Sequence, residues 1–197
     1  MREAPLGKLI VFTNVTLDGV VQSPGRAEED PRDGFAHGGW AAPYGAMQEA
    51  GDALANLGAL LLGRWTYLNW AGHFPEHPEN PFTAFLTSIP KYVASTTLRE
   101  PLPWANSTLL KGDAAQAAAR LKAEMDKDLV VFGSSRLIQS LMKNGLVDDF
   151  VLFIHPLILG SGRRLFPDGG VPVTLTLRES RATGNGVVVA VYQPANH

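Results

Sequence analysis

Two short runs in this sequence combine residue types that hold phosphates. Phe132-Gly133-Ser134-Ser135 follows an apolar run and precedes a helical pattern. Amides at a helix start point outward and attract anions, and Gly133 lets an anion come close to the backbone. Ser134 or Ser135 equally suits an ordinary helix cap with nothing bound. Gly63-Arg64-Trp65-Thr66 stands at the end of another apolar run. Arg64 can grip a phosphate through two parallel N–H groups, and Thr66 can donate from a helix start. A solvated Arg beside a capping Thr fits the same letters. Two such turns in one parallel sheet would lie where ligands bind, beyond the carboxyl ends of the strands.

Other chemistries find no foothold. No G-x-G-x-x-G follows a strand, and neither a G-x-x-x-x-G-K-[ST] loop nor a G-x-S-x-G elbow occurs. With no cysteine, disulfides, thiol nucleophiles and cysteine-held metals are excluded. His73 and His77 are four apart, but Pro75 between them prevents a shared helix face, so no metal site is expected. His37 falls in a loop, His155 in a strand before Pro156, and His197 at the end. Trp65, Trp70 and Trp104 read as core or rim. Trp40, in His37-Gly38-Gly39-Trp40, has a pliant backbone that suits a closing loop. Arg163 and Arg164 beside the 160–162 turn read as a solvated basic pair or as a seat for a substrate phosphate.

The elements that must position these residues alternate along 197 positions. Strands are expected at 8–15, 59–62, 91–95, 107–110, 129–132 and 150–158. A C-terminal hairpin of 173–177 and 187–192 follows. Helices are expected at 113–126, capped by Asp113 with Gln116 three residues on, and at 134–144, with Gly145 past its end. Pro43 opens a further helical pattern through Met47, Ala50, Leu54 and Leu57. The polar stretch 22–39 is a long loop, expected to be mobile and to close with Trp40 over a ligand. This order means an α/β, three-layer αβα fold, with a mostly parallel central sheet and an antiparallel C-terminal edge. The chain reads as a single domain, 1–197.

Seventeen Lys plus Arg against nineteen Asp plus Glu give a net charge of −2, without the basic face a nucleic-acid binder needs. Charged residues are 18%, under the roughly 25% of average domains, which fits a pocket or a subunit contact. Without an apolar run near 18 residues or a signal-like start, the expectation is a cytoplasmic protein that meets no membrane.

Taken in order, the motifs resemble the dihydrofolate reductase superfamily, and most closely its branch like the C-terminal reductase domain of the bifunctional riboflavin-biosynthesis deaminase–reductase. Thr16-Leu17-Asp18-Gly19-Val20 is similar to that branch's S/T-L-D-G motif, and Leu62-Gly63-Arg64-Trp65-Thr66 to the G-R-x-T turn. Val93-Ala94-Ser95-Thr96 resembles the V-x-S segment, and Phe132-Gly133-Ser134 stands where Gly-Gly is usual. Gly145-Leu146-Val147-Asp148-Asp149 and the run from His155-Pro156 through Gly160-Ser161-Gly162 to Leu165-Phe166 complete the likeness.

The resemblance implies an NADPH-dependent reductase of a small heterocycle, pyrimidine- or pteridine-like, similar to 5-amino-6-(5-phosphoribosylamino)uracil reductase. The alternative is an NADPH-binding sensor or assembly module without turnover. Arg64 and Thr66, with Gly63, Ser95 and Thr96, would hold the 2′-phosphate and adenosine side. Gly133, Ser134 and Ser135 would take the pyrophosphate. Asn14, Gly19 and Val20, with Trp40, would frame the nicotinamide and substrate. A homodimer is implied as well. Folate-reducing members carry W-x-x-P-x-D/E; here Trp40-Ala41-Ala42-Pro43-Tyr44 matches, but the acid position is Gly45. Dihydrofolate is therefore not the expected substrate. The remaining acids are Glu49, four residues on, and Asp18, which equally suits bonding its own turn. Gly45→Asp is expected to cost a helix nothing, since Gly is the poorer helix former.

Overall fold

Apolar strands that lack an alternating polar face bury both sides, and that demands helices or further strands over them. A computed structural model of the chain describes residues 7–45, 51 and 54–195. In chain order its elements are β1 (Leu9–Thr16), β2 (Leu57–Gly63), α1 (Arg64–Ala71), α2 (Pro81–Ser88), β3 (Lys91–Ala94), β4 (Ser107–Leu110), α3 (Ala114–Glu124), β5 (Asp128–Phe132), α4 (Ser135–Lys143), β6 (Asp149–His155), β7 (Leu175–Ala182) and β8 (Val188–Pro194). The class is α/β, with eight strands, mostly parallel and antiparallel at one edge. Backbone contacts divide the chain into two compact units, Met1–Leu9 with Asn56–Leu146, and Ile10–Ala55 with Val147–His197.

In the first unit β3 lies between β4 and β2, and β2 between β3 and β5, all parallel. Leu60, Leu61, Leu62, Val93, Val130 and Val131 form its interior. The helix ends follow their sequences. Asn80 caps α2 by accepting from the amides of Phe82 and Thr83, with Pro81 at the first helical position. Asp113 caps α3 through the Gln116 amide at 2.8 Å. At the end of α4, Gly145 takes φ +63°, so its amide meets Met142 O and the Leu146 amide meets Leu141 O. Neither α2 nor its cap was anticipated, because an eight-residue apolar segment offers little period to detect.

In the second unit β1 runs parallel to β6, which pairs antiparallel with β8, and β8 with β7. β6 stops at His155 and not at 158, because Pro156 has no amide for the ladder. Ile158 is instead 75% exposed. The hairpin is longer and shifted, β7 beginning at Leu175. Pro43 opens only a 3-10 turn, Ala42–Tyr44, closed by Gly45 at φ +56°. Met47 and Ala50 lie outside the described residues, and Leu57 begins β2.

In the 22–39 stretch, polar side chains bond to one another and to the backbone. Gln22, buried, donates from Nε2 to the carbonyls of Asp30 and Arg32 at 3.0 Å each. Ser23 Oγ donates to Arg26 O at 2.8 Å and accepts from the Asp30 amide at 3.0 Å. Arg32 grips Asp30 through two N–H groups at 2.6 Å. Gly38 is required for close approach, not for pliancy: a Cβ there would stand 2.3 Å from Ala27 O.

Lys91, fully buried at the start of β3, shows how the first unit closes α2. Its Nζ donates to the carbonyls of Leu86, Thr87 and Ile89 at 2.8–2.9 Å and lies 4.4 Å from the Trp104 ring centre. These are orphan carbonyls of a helix end, and the ammonium satisfies three together. Burial still pushes its pKa down from 10.5 to about 8. Lys91→Met should destabilise the protein by about 2–4 kcal/mol, since three buried carbonyls lose a charged donor. The folded state releases its proton before the unfolded chain does, so the wild-type advantage in urea unfolding should widen from pH 8 to pH 10. An advantage that shrinks over that range would contradict the assignment.

Candidate active site

Within the first unit the two phosphate-type turns are neighbours, because β2 and β5 are adjacent and parallel and end at the same edge. A single hydroxyl ties them. Ser134 Oγ accepts from the Gly63 amide at 3.0 Å and donates to Thr66 Oγ1 at 3.0 Å. Gly133 and Ser134 both take left-handed backbone, φ +52° and +55°. At Gly133 an added Cβ would stand 3.4 Å from Thr66 Oγ1. Ser134 stands at the N-cap position of α4, but its side chain makes no cap bond there, so it does not fill the ordinary cap role read from the sequence. Ser135 is the first residue of α4, where amides have no intrahelical partners.

Arg64 is exposed at the start of α1, and Nη1 donates to Thr97 Oγ1 at 2.9 Å. Ser95 Oγ accepts from the amides of Thr97 and Leu98 at 3.2 and 3.1 Å, fixing the turn after β3. Thr96 is exposed. The partner brought to Arg64 is therefore Thr97, one residue past the pair read from the sequence. The Ser95-Thr96-Thr97 hydroxyl run was the available signal.

In the second unit Thr16-Leu17-Asp18-Gly19-Val20 is a closed turn. The Gly19 amide donates to Thr16 O, and the Thr16 amide donates to Val20 O. Thr16 Oγ1 accepts from the Val20 amide and donates to Asp18 Oδ1 at 2.6 Å. Asp18 also accepts from the amides of Leu159 at 3.2 Å and Gly160 at 2.8 Å. The Thr16 hydroxyl, with these amides, holds its carboxyl below the usual range. Gly19 takes φ +83°. Arg164, exposed, passes its aliphatic stem over Gly19 and bridges Val20 through the backbone. Arg163 is engaged by Asp33 at 2.6 Å.

Asn14 and His155 were read apart and lie together. Side chains at Phe12 and Asn14 of β1 share a face with Phe153 and His155 of β6, so the Phe12–Phe153 ring contact gives way to a polar pair at the strand ends. His155 Nε2 is 2.9 Å from Asn14 Oδ1. An amide oxygen only accepts, so Nε2 carries the hydrogen and donates. Nδ1 is buried with no partner among the described residues. Trp40 and Tyr44 set their rings edge-on to the imidazole, at 5.2 and 5.0 Å. Burial pushes the His155 pKa down to about 4. Trp40 is itself buried with Val20, Phe35 and Ala41, and its Nε1 donates to Gln22 O at 2.7 Å. Tyr44 is tied by its carbonyl to the Asn185 side chain.

Glu49 lies outside the described residues. Gly45 is described, and its left-handed backbone overturns the expectation that Gly45→Asp costs nothing: an L-residue there is strained by about 1 kcal/mol. His73 and His77 come within 4.5 Å between ring centres, but His77 pairs with Glu79 on the surface. Among the described residues no cluster of three or more His, Cys, Asp or Glu is placed to hold a metal. Among them, too, no helix is long and apolar enough to cross a membrane.

The fold is that of the dihydrofolate reductases. A putative riboflavin biosynthesis protein from Shewanella sp. PV-4 superposes with a TM-score of 0.66 at 21% identity, covering 96% of this chain and 99% of that one. Dihydrofolate reductase from Enterococcus faecalis, complexed with NADP(H) and RAB-propyl, gives 0.60 at 12% identity, covering 97% and 98%. In sequence, the uncharacterized protein YyaP of Bacillus subtilis is 29% identical over 194 residues, 94% of each chain. Residues 7–189 match the RibD C-terminal domain, and the chain belongs to that family.

Because His155 is neutral when folded, acid must charge it. The unfolded chain protonates near 6.5 and the folded one near 4, so stability falls as pH drops through that window. The loss should be on the order of 2–3 kcal/mol in urea titrations. His155→Gln, which keeps a donor for Asn14, should lack that step. Parallel wild-type and variant curves between pH 6.5 and 4 would show that His155 is not the group titrating.

Proposed function

We propose that this protein is an NADPH-dependent reductase that transfers hydride to a small pyrimidine- or pteridine-like heterocycle. The observation that carries the reading is Arg64. It is exposed beside the Gly63–Ser134–Thr66 lock, with one guanidinium N–H on Thr97 and the fork otherwise facing solvent. A phosphomonoester such as a 2′-phosphate suits that fork, and a ribose diol would leave it unmatched. Arg64 and Thr66, with Gly63, Ser95 and Thr96, hold the 2′-phosphate and adenosine side in this reading. Gly133, Ser134 and Ser135 offer amides to the pyrophosphate. Asn14, Gly19 and Val20 border the nicotinamide. NADPH, when bound, supplies the hydride; the chain supplies orientation and a dry wall at Trp40.

The acids are assigned by what they touch. Asp18 is committed to Thr16 and two amides and is held ionised, so it positions the 157–160 segment and does not deliver a proton. His155, neutral with its hydrogen on Asn14, is not a general acid near pH 7 either. Gly45 offers nothing to an amidine, so a pterin of the folate type lacks its anionic partner. The bound Asp18 also suits the alternative, an NADPH-binding module without turnover.

Two measurements decide between these. Arg64→Ala should raise the Kd for NADPH by roughly 10- to 100-fold, the worth of one or two charged hydrogen bonds, while NADH changes little. An equal loss for both would remove the phosphate assignment. Following NADPH oxidation against a panel of pyrimidines and pterins should give turnover with a panel member and negligible turnover with dihydrofolate. Tight NADPH binding with no oxidation across the panel would favour the sensor, and brisk dihydrofolate reduction would mean another acid serves the pterin.

A further inference from the structure

Asn14 and His155 carry an inference about polarity. A carboxamide can turn either its oxygen or its NH2 outward, and the two choices select opposite ligand groups. Here Asn14 Oδ1 is 2.9 Å from His155 Nε2, and the imidazole is wholly buried. Rotation of the imidazole is opposed on two sides by the edge-on rings of Trp40 and Tyr44. Flipping Asn14 would make Nε2 the acceptor and move the ring hydrogen to Nδ1, leaving a buried N–H with no acceptor among the described residues. Its Nδ2 has no partner among the described residues, and it stands at the carboxyl end of β1, on the edge where parallel strands present ligands.

We propose that His155 is a positioning residue that locks the Asn14 carboxamide with its NH2 outward, making Asn14 a dedicated hydrogen-bond donor to a ring-borne carbonyl of the bound ligand. The inference rests on the reductase reading. Two sources share that chemistry: the carboxamide carbonyl of the nicotinamide and a ring carbonyl of a pyrimidinedione or pteridinedione. His155 acts through Asn14 and touches neither. With the one hydrogen of the neutral ring on Nε2, Nδ1 is a bare acceptor, buried with no donor among the described residues.

The first measurement needs no ligand. Nitrogen-15 NMR of the imidazole at pH 7 should show hydrogen on Nε2 and a bare Nδ1; hydrogen on Nδ1 would overturn the proposal. The second compares wild type, His155→Met, His155→Gln and Asn14→Leu by titration with NADPH, with 2′-phospho-ADP-ribose (which lacks the nicotinamide), and with lumazine in the presence of NADP+. If the cofactor carbonyl is read, His155→Met and Asn14→Leu should weaken NADPH about tenfold, the worth of one neutral hydrogen bond, and His155→Gln should recover most of it. Binding of 2′-phospho-ADP-ribose should not move. If the heterocycle is read, the same pattern should appear with lumazine, and NADPH should not move. NADPH and lumazine both unchanged in His155→Met and in Asn14→Leu would overturn the proposal. So would a loss in His155→Met that His155→Gln does not recover, since packing alone would then explain it. Should wild type bind neither NADPH nor 2′-phospho-ADP-ribose, the cofactor reading fails, and lumazine binding decides the proposal alone. Wild type that binds 2′-phospho-ADP-ribose but neither NADPH nor lumazine overturns it and leaves the phosphate half of the reading standing.

Discussion

Strands that run parallel deliver their chains to the same edge, and in this protein every group with chemical promise depends on that delivery. β2, β3 and β5 run side by side in the first unit, which is why Gly63, Ser95 and Ser134 emerge as neighbours from distant parts of the sequence. In the second unit the same constraint sets Asn14 of β1 against His155 of β6. Parallel pairing in turn needs strands buried on both faces, and the apolar runs LIVF, ALLL and LVVF meet that need.

Given those edges, short polar bonds do the rest. The Ser134 hydroxyl joins the Gly63 amide to Thr66, so the substitution of Ser for a second glycine adds a cross-link as it adds a Cβ. Its left-handed backbone is a local strain of order 1 kcal/mol, comparable with what one of those hydrogen bonds returns. Asp18 plays the matching part in the second unit, joining the turn after β1 to the amides of Leu159 and Gly160. These bonds set where the backbone amides and the Arg64 fork stand.

Much of this was legible in the sequence, and the gaps have physical causes. Strand identity was plain where an apolar run met glycine, as at Gly63; the end of β6 was missed because Leu157 and Ile158 continue the apolar run past Pro156, although Leu157 packs beside Val20 and Trp40 and Ile158 faces outward. The 22–39 stretch reads by composition as a loop, and the bonds its polar side chains make to one another and to its backbone are what no composition can reveal. His155 was passed over for the same reason. A lone histidine in a strand is unremarkable until pairing sets an asparagine beside it. Gly45 was read within a helix and is instead the left-handed close of a 3-10 turn, since one proline cannot say how far a helix runs. The family likeness covers residues 7–189 and was carried by six motifs in order, not by any one of them.

The most direct measurement is a crystal structure of the protein with NADP+ bound. The account predicts the 2′-phosphate on the Arg64 guanidinium, with the pyrophosphate against the amides of the Gly133–Ser135 turn. A dinucleotide ordered with its 2′-phosphate away from Arg64, and no phosphate oxygen on the 133–135 amides, would contradict it.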